Sequence, residues 1–502
     1  MASLHDLVII GGGINGVGIA RDAAGRGLSV LLVEQDDLAA HTSSWSTKLI
    51  HGGLRYLEHY EFRLVAEALA EREVLLRAAP HLIEPLAFVL PHEPHLRPAW
   101  MIRAGLFLYD RLGGRMTLPR SFSTRLAGTP YGAGLKPRFT RGFVYADARV
   151  DDARLVVANA MDARARGADI RVGSRFVRAV RDDGAWTVTL AGPAGESTVR
   201  GRALVNAAGP WVKDVLSTVA GAETSARVRH VKGSHIIVPR VHAEPHAYIL
   251  QNADQRIVFV IPWQDDYSLI GTTDVAVEQY DDPSISDEEI DYLLGLANDY
   301  LARPLSRADI AWTYSGVRPL YDDGSSDPSE VTRDYVLKLD VAEAAPRAAR
   351  VPALSVFGGK ITTYRKLAEH ALVELAPFFP AMKRPWTETA VLPGGDLPAG
   401  DRSAFVDVLC AQHPGLPRRL VRGLARRHGT EAAALLDGVR SIEGMGEDFG
   451  AGFTGRELDW LIAHEWARTA DDVLWRRTKC GLAMTAAQRA RVAERMTATA
   501  SV

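Results

Sequence analysis

The stretch LVIIGGGINGVGIARDAAGRGLSVLLVEQDDL, residues 7–38, constrains the fold more than any other part of the chain. Leu7–Ile10 is an apolar run suited to a strand buried on both faces of a parallel sheet. Gly11, Gly13 and Gly16 follow in G-x-G-x-x-G spacing around Asn15, and a helical pattern continues through Ala20. A second apolar run, Leu28–Val33, ends at Glu34. An isolated glycine triplet is often only a turn. Here strand, helix, second strand and terminal acid surround it, which predicts a dinucleotide-binding βαβ unit. Glycine permits a tight turn and close pyrophosphate approach, and the helix start attracts phosphate. Glu34 is placed to accept hydrogen bonds from an adenosine ribose. The motif leaves NAD and FAD open.

Two later stretches bear on that choice. Residues 202–215, RALVNAAGPWVKDV, read as a strand ending in small residues, with Ala208 and Gly209 allowing backbone approach to a cofactor. Residues 356–372, VFGGKITTYRKLAEHAL, read as a strand, a Gly358-Gly359 turn and a helix. Their amides and Lys360 could lie against the polar edge of a flavin. Three such turns in one chain favour FAD.

At 502 residues the chain predicts two or three units, each with its own core. Its 47% hydrophobic and 24% charged content is that of a folded globular protein, and a net charge of −2 gives no global case for nucleic acid. Cys410 and Cys480 form no CxxC pair or disulfide framework, in keeping with a reducing compartment. No uncharged run approaches the roughly 18–20 residues of a membrane-spanning helix. The expectation is a cytoplasmic protein, or one bound to a membrane only at its surface.

The segments SSWSTKLIHGGLRYLEHYEFRLV, KGSHIIVPR, YSGVRPL, TRDYVL and FGGKITTYRKLAEHA resemble the FAD-dependent sn-glycerol-3-phosphate dehydrogenases, particularly the bacterial aerobic type. The resemblance extends to HEWARTADDVLWRRTKCGL near the C-terminus. One departure is Trp45, bulky in a turn where a small residue is expected. The resemblance implies a flavoprotein of the D-amino-acid-oxidase type. Such an enzyme oxidises glycerol 3-phosphate to dihydroxyacetone phosphate and passes electrons to a membrane quinone. It also implies peripheral attachment to the inner face of the cell membrane; a homodimer is left open.

The substrate is a small dianion, which calls for forked cationic donors, and its C2 hydroxyl must lose a proton as hydride leaves for flavin N5. Within the resemblance, Arg55, Tyr56 and Arg333 are expected on the phosphate and Arg318 beside the reacting oxygen. His235 is the leading proton acceptor, with phosphate binding as its alternative role. Lys360 is expected near the flavin or substrate oxygen. Ser44, Ser46, Thr47 and Lys48 are expected along the cofactor, followed by His51, Gly52 and Gly53 with backbone close to the flavin, and Thr362 completes that set. No metal site is implied: His92, Glu93 and His95 lie in a proline-containing loop with no further partner.

The expected architecture is a two-dinucleotide-binding-domain-type α/β unit from 1–80, 145–225 and 350–385. A mostly antiparallel substrate domain comes from 81–144 and 226–349. A linker at 386–400 leads to a helical domain at 401–502. Residues 95–120, 361–379 and 418–429 mix apolar and basic residues and are candidate membrane-surface elements. Rival readings are a glycerol-phosphate oxidase using O2, an amino-acid oxidase on the same fold, and a non-catalytic dinucleotide sensor. A carboxylate substrate needs fewer cations, which argues against the second.

Overall fold

The structure, a computed structural model, describes residues 3–93, 97–220, 227–252, 256–322, 334–341 and 351–500. Arg333 and His95 therefore lie outside the described residues. The chain builds two large sheets and a C-terminal helical unit.

In the first sheet, strand Leu4–Ile10 lies parallel between Val30–Glu34 and Gly195–Asn206. Asp169–Val172 and Ala353–Phe357 extend it in parallel on either side, and Val336–Asp340 closes one edge antiparallel. Side chains alternate between faces along a strand, and both faces here are covered. Leu7, Ile9, Val30 and Leu32 pack with the helices Ile14–Gly25, Asp152–Ala165 and Tyr364–Leu375. Val8, Ile10, Leu31 and Val33 instead meet Phe176, Trp186 and Val188 of the hairpin Arg175–Asp182/Ala185–Gly192. Double coverage explains why these strands read as continuous apolar runs.

The second sheet has ten strands, all antiparallel except for the pairing of Ala247–Gln251 with Ile83–Pro91. Its longest ladder joins Arg227–Pro239 to Trp312–Asp322, setting His235 opposite Tyr314 and Val231 opposite Arg318. Leu49–Ile50 and Arg141–Val150 belong to this sheet, whereas the sequence alone places residues 1–80 and 145–225 in the cofactor unit. Conversely, Val336–Asp340 is an edge of the first sheet. Leu49–Ile50 and Arg141–Val150 pair across a long stretch of sequence, which alternation alone cannot indicate, whereas Val336–Asp340 joins the first sheet by pairing with the next strand, Ala353–Phe357.

The C-terminal unit packs helices Arg402–Gln412, Arg418–His428, Gly455–Glu465 and Ala486–Ala500 around two small cores. Buried ions tie it to the first domain. Arg154 grips Glu465 with both terminal nitrogens, and within the C-terminal unit Arg427 grips Glu457 at 2.6 Å through two bonds. His428 lies between the two carboxylates, 2.8 Å from Glu457 and 3.3 Å from Glu465. Arg477 reaches across to Asp37 at 2.7 Å. Burial alone would raise the Glu457 pKa, but Arg427 and His428 outweigh it and bring the carboxyl from 4.5 down to about 2.

Because the folded-state pKa is depressed, this ionisation stabilises the fold fully above about 4.5, and the contribution is lost as pH falls toward about 2. Thermal melts should show wild type losing stability across that window. Glu457→Gln should be less stable by about 3–5 kcal/mol at neutral pH, because Arg427 is left buried and unpaired, and should show a flatter acid limb. An unchanged Tm at neutral pH would contradict this role.

Candidate active site

Two cavities adjoin along the boundary between the sheets. They share lining from Ile14, Thr42, Ser43, Pro319, Gly358 and Gly359. The first, about 330 Å³, lies over the ends of the parallel strands and is lined by Gly11, Gly13, Asn15, Glu34, Ala208 and Gly209 among others. This is where an open α/β sheet places its ligand.

The turn can be built only with glycine. Gly11 has φ +109°, and a Cβ there would lie 2.5 Å from the Ala207 carbonyl oxygen. A Cβ on Gly16 would fall 1.9 Å from the Gly11 carbonyl oxygen, so Gly16 lets the helix pack on the turn without itself lining the cavity. Glu34 is held at both oxygens, by the Gly12 N–H at 2.7 Å and the Asp36 N–H at 2.9 Å. Its carboxyl is fixed at the end of the second strand, and burial raises its pKa. Asn15 donates to the Gly358 carbonyl at 3.1 Å, joining the first turn to the last, and its Oδ1 is buried without a partner among the described residues. A narrow cleft with bare backbone, a helix start and an oriented acid suits a pyrophosphate flanked by a ribose. Residues Ser43, Arg175 and Trp211 also line it. Sequence reasoning missed them: Ser43 and Arg175 lie in no glycine turn, and Trp211 follows Gly209 in a turn read only for its small residues.

The second cavity, about 490 Å³, is lined by Ser46, Thr47, His51, Arg55, Tyr56, His235, Arg318, Lys360 and Thr362. His235 is buried, stacked on Tyr314 with centroids 4.6 Å apart, and its Nε2 lies 3.0 Å from Thr47 Oγ1. Its Nδ1 has no partner among the described residues. Burial, reinforced by Lys48 and Arg318, lowers its pKa well below the ordinary value and keeps the ring neutral. A Cβ on Gly271, opposite His235 in the sheet, would fall 2.1 Å from the imidazole, so glycine makes room for this ring. Lys360 stands 4.1 Å over the Tyr56 ring with its ammonium buried and no hydrogen-bond partner among the described residues. An orphaned buried cation fits an anionic ligand that would complete it. Arg318 pairs with Asp274, an acid that also lines the cavity and that the sequence did not single out. Arg229 and Arg256 line it as well.

Four expected residues lie elsewhere. Lys48 turns its ammonium away from both cavities to Asp152 at 2.9 Å and the Ser44 carbonyl at 2.8 Å. Ser44 lines neither cavity and serves that pair. Gly52 and Gly53 line neither, and their small size has another cause. A Cβ on Gly52 would strike Leu69 at 2.5 Å and Tyr109 Oη at 2.7 Å. One on Gly53, where φ is +74°, would strike the Tyr56 ring at 2.4 Å. The pair thus seats the turn that carries Arg55 and Tyr56. Trp45 fits because it joins an aromatic cluster with Trp312 and Tyr314, and a Cβ on Gly316 would come within 2.7 Å of its own Cβ.

Known proteins share this arrangement. The family model described as FAD dependent oxidoreductase matches residues 6–337, and the C-terminal domain of alpha-glycerophosphate oxidase matches 385–501. The chain is 53% identical over 494 residues to the aerobic glycerol-3-phosphate dehydrogenase of Escherichia coli (strain K12), covering 97% of this chain and 96% of that protein. It is 51% identical over 492 residues to the D-erythritol 1-phosphate dehydrogenase of Brucella abortus (strain 2308), covering 97% of each. The solved glycerol-3-phosphate dehydrogenase from Bacillus halodurans, complexed with FAD, superposes with a TM-score of 0.73 at 25% identity, over 99% of this chain and 94% of that one. From the glycine turn to the C-terminal helices, this chain belongs to the FAD-dependent oxidoreductase family, among the glycerol-3-phosphate dehydrogenases.

Proposed function

We propose that the chain oxidises sn-glycerol 3-phosphate to dihydroxyacetone phosphate, with a membrane quinone as final electron acceptor. The observation that carries this reading is the second cavity: cationic, furnished with a neutral imidazole, and joined to the cofactor cleft at Gly358–Gly359. Near-full-length identity to glycerol-3-phosphate dehydrogenases supports the same substrate. Bound FAD supplies the two-electron acceptor for the C2 hydrogen.

In this reading Gly11, Gly13 and the helix start at Ile14 hold the pyrophosphate, and Glu34 receives the ribose hydroxyls. Arg55 and Tyr56 take the substrate phosphate, where Arg333 is also assigned. Arg318 holds the reacting oxygen, and its link to Asp274 orients the guanidinium. His235 accepts the C2 hydroxyl proton: in the tautomer whose Nε2–H donates to Thr47 Oγ1, Nδ1 is the basic nitrogen. Lys360 brings its unpaired charge to the cofactor's polar edge. Ser46, Thr47, His51 and Thr362 line the same cavity.

The relative named D-erythritol 1-phosphate dehydrogenase favours a second reading, a longer polyol phosphate at the same site. Anaerobic addition of each phosphate to the FAD-loaded protein decides between them. Glycerol 3-phosphate should bleach the flavin absorption with the higher kcat/KM; bleaching by D-erythritol 1-phosphate alone would replace the substrate assignment. Quinone reduction without stoichiometric peroxide is expected, and the reverse would indicate an oxidase. Arg318→Ala should retain bound FAD while kcat/KM falls on the order of 10- to 100-fold, the scale of a lost charged hydrogen bond.

The acid limb of kcat/KM should lie below the ordinary histidine pKa of about 6.5, since His235 is held neutral. Lys48→Met removes one of the charges responsible and should move that limb upward. A limb that stays in place in Lys48→Met would exclude His235 as the titrating base.

No helix of the described residues is long and apolar enough to cross a membrane. Peripheral attachment is assigned to helix Ala99–Leu112, which exposes Trp100, Met101, Phe107 and Leu108 on one side. The other two expected elements are occupied otherwise. Tyr364–Leu375 is packed in the first core, and Arg418–His428 buries its leucines and directs arginines into an interdomain cleft. Trp100→Glu/Phe107→Glu should lose co-sedimentation with phosphatidylglycerol vesicles while flavin bleaching stays unchanged. Undiminished sedimentation would assign attachment to another surface.

A further inference from the structure

A third cavity, about 260 Å³, opens between the C-terminal helices and the second sheet, separate from both cavities above. Its walls come from Arg402, Arg419, Arg422 and Arg426 on one side and from Glu84, Arg149 and residues 264–267 on the other. Lys479 and Asp151 lie at its floor.

The charges there do not balance. Arg149, at 2.6 Å, and Arg402 both pair with the single carboxylate of Glu84. Arg422 pairs with Asp265 at 2.7 Å, and Arg426 stands 3.9 Å from the same carboxylate while donating to Gln264 Oε1. Arg419 stands 4.0 Å from Asp266, and Lys479 pairs with Asp151. Six cations thus face four carboxylates. Two further lining cations, Lys48 and Arg427, have their own buried partners in Asp152 and Glu457. His81 adds no charge, since burial and then Arg154 bring its pKa down to about 3. An excess of two positive charges, carried mostly on guanidinium forks in a concave site, matches a phosphoryl dianion.

We propose that this cleft binds a small phosphorylated molecule, bridging the C-terminal helices to the second sheet at a position distinct from the substrate cavity. The ligand's phosphoryl group would accept from Arg149 and Arg402, which share Glu84, and from Arg422 and Arg426, which have the single carboxylate of Asp265 between them. The site also touches the catalytic segment: Lys48 lines it, and the adjoining Thr47 holds His235.

The test is pyrophosphate binding to the intact FAD-loaded protein, by calorimetry and by shift in Tm. Wild type and Arg318→Ala should bind alike and gain stability. Arg422→Gln/Arg426→Gln should weaken binding by about 10-fold or more. Arg419→Ser, which changes an exposed side chain and spares the fold, should weaken it by about threefold and keeps the test valid if the double variant does not fold. The proposal is overturned if wild type does not bind pyrophosphate, or if binding is lost in Arg318→Ala and retained in the arginine variants. It is equally overturned if those variants change only sedimentation with phosphatidylglycerol vesicles, which would make the cleft a lipid-headgroup contact.

Discussion

The buried pair Lys48–Asp152 is the constraint on which the catalytic side of the molecule depends. Asp152 begins a helix of the first domain, and Lys48 adjoins a strand of the second sheet. Between them they fix a short run of chain. Ser46 donates to Asp152 at 2.7 Å, Tyr314 donates to the Ser46 carbonyl at 2.8 Å, and His235 stacks on Tyr314 while bonded to Thr47. An unpaired charge at either member would be costly in so buried a place. The pair therefore holds the two sheets in the one relation that brings a neutral imidazole beside the cofactor cleft. The neighbouring residue Asp151 pairs with Lys479, which extends the same anchorage to the C-terminal unit.

Close backbone approach is the second organising principle. At Gly11, Gly16, Gly52 and Gly271 an added carbon would overlap a carbonyl, a leucine or the His235 imidazole. These glycines serve different ends. Gly11 and Gly16 leave a cleft for the cofactor, whereas Gly52 and Gly53 seat a surface turn against Leu69, Tyr109 and Tyr56. The Gly52 N–H also donates to Tyr109, whose hydroxyl donates to Asp147, itself paired with Arg72. The turn bearing Arg55 and Tyr56 is thus hydrogen-bonded to the same helix that exposes Trp100 and Phe107, which gives the proposed membrane face a rigid connection to the substrate cavity.

Local order made much of this chain legible. The βαβ unit, its glycines and Glu34 form a continuous segment, and apolar strands buried on both faces announce a parallel sheet. The helical C-terminal unit and the mostly antiparallel second sheet likewise follow from periodicity. The polar stretch around residues 46–56 was legible as a site but not residue by residue. Thr47, Arg55 and Tyr56 reach the cavity, while Lys48 turns to Asp152, more than a hundred residues away in sequence. Asp274, Arg229 and Arg256 carried no local motif: Arg229 comes to the site on the strand Arg227–Pro239, and Asp274 and Arg256 come on the segments that flank the strands of the second sheet.

What the sequence determined by itself was the cofactor class, the family and the types of side chain available for the chemistry. These depend on short segments whose conformation and hydrogen bonding are local. Only the tertiary structure decided which cations are spent on buried carboxylates and which remain open to a ligand. Lys48 and Arg427 have private partners, Lys360 has none among the described residues, and the arginines of the interdomain cleft share theirs. A charge's availability depends on its nearest opposite charge in space, and that neighbour is set by packing between elements distant in the chain.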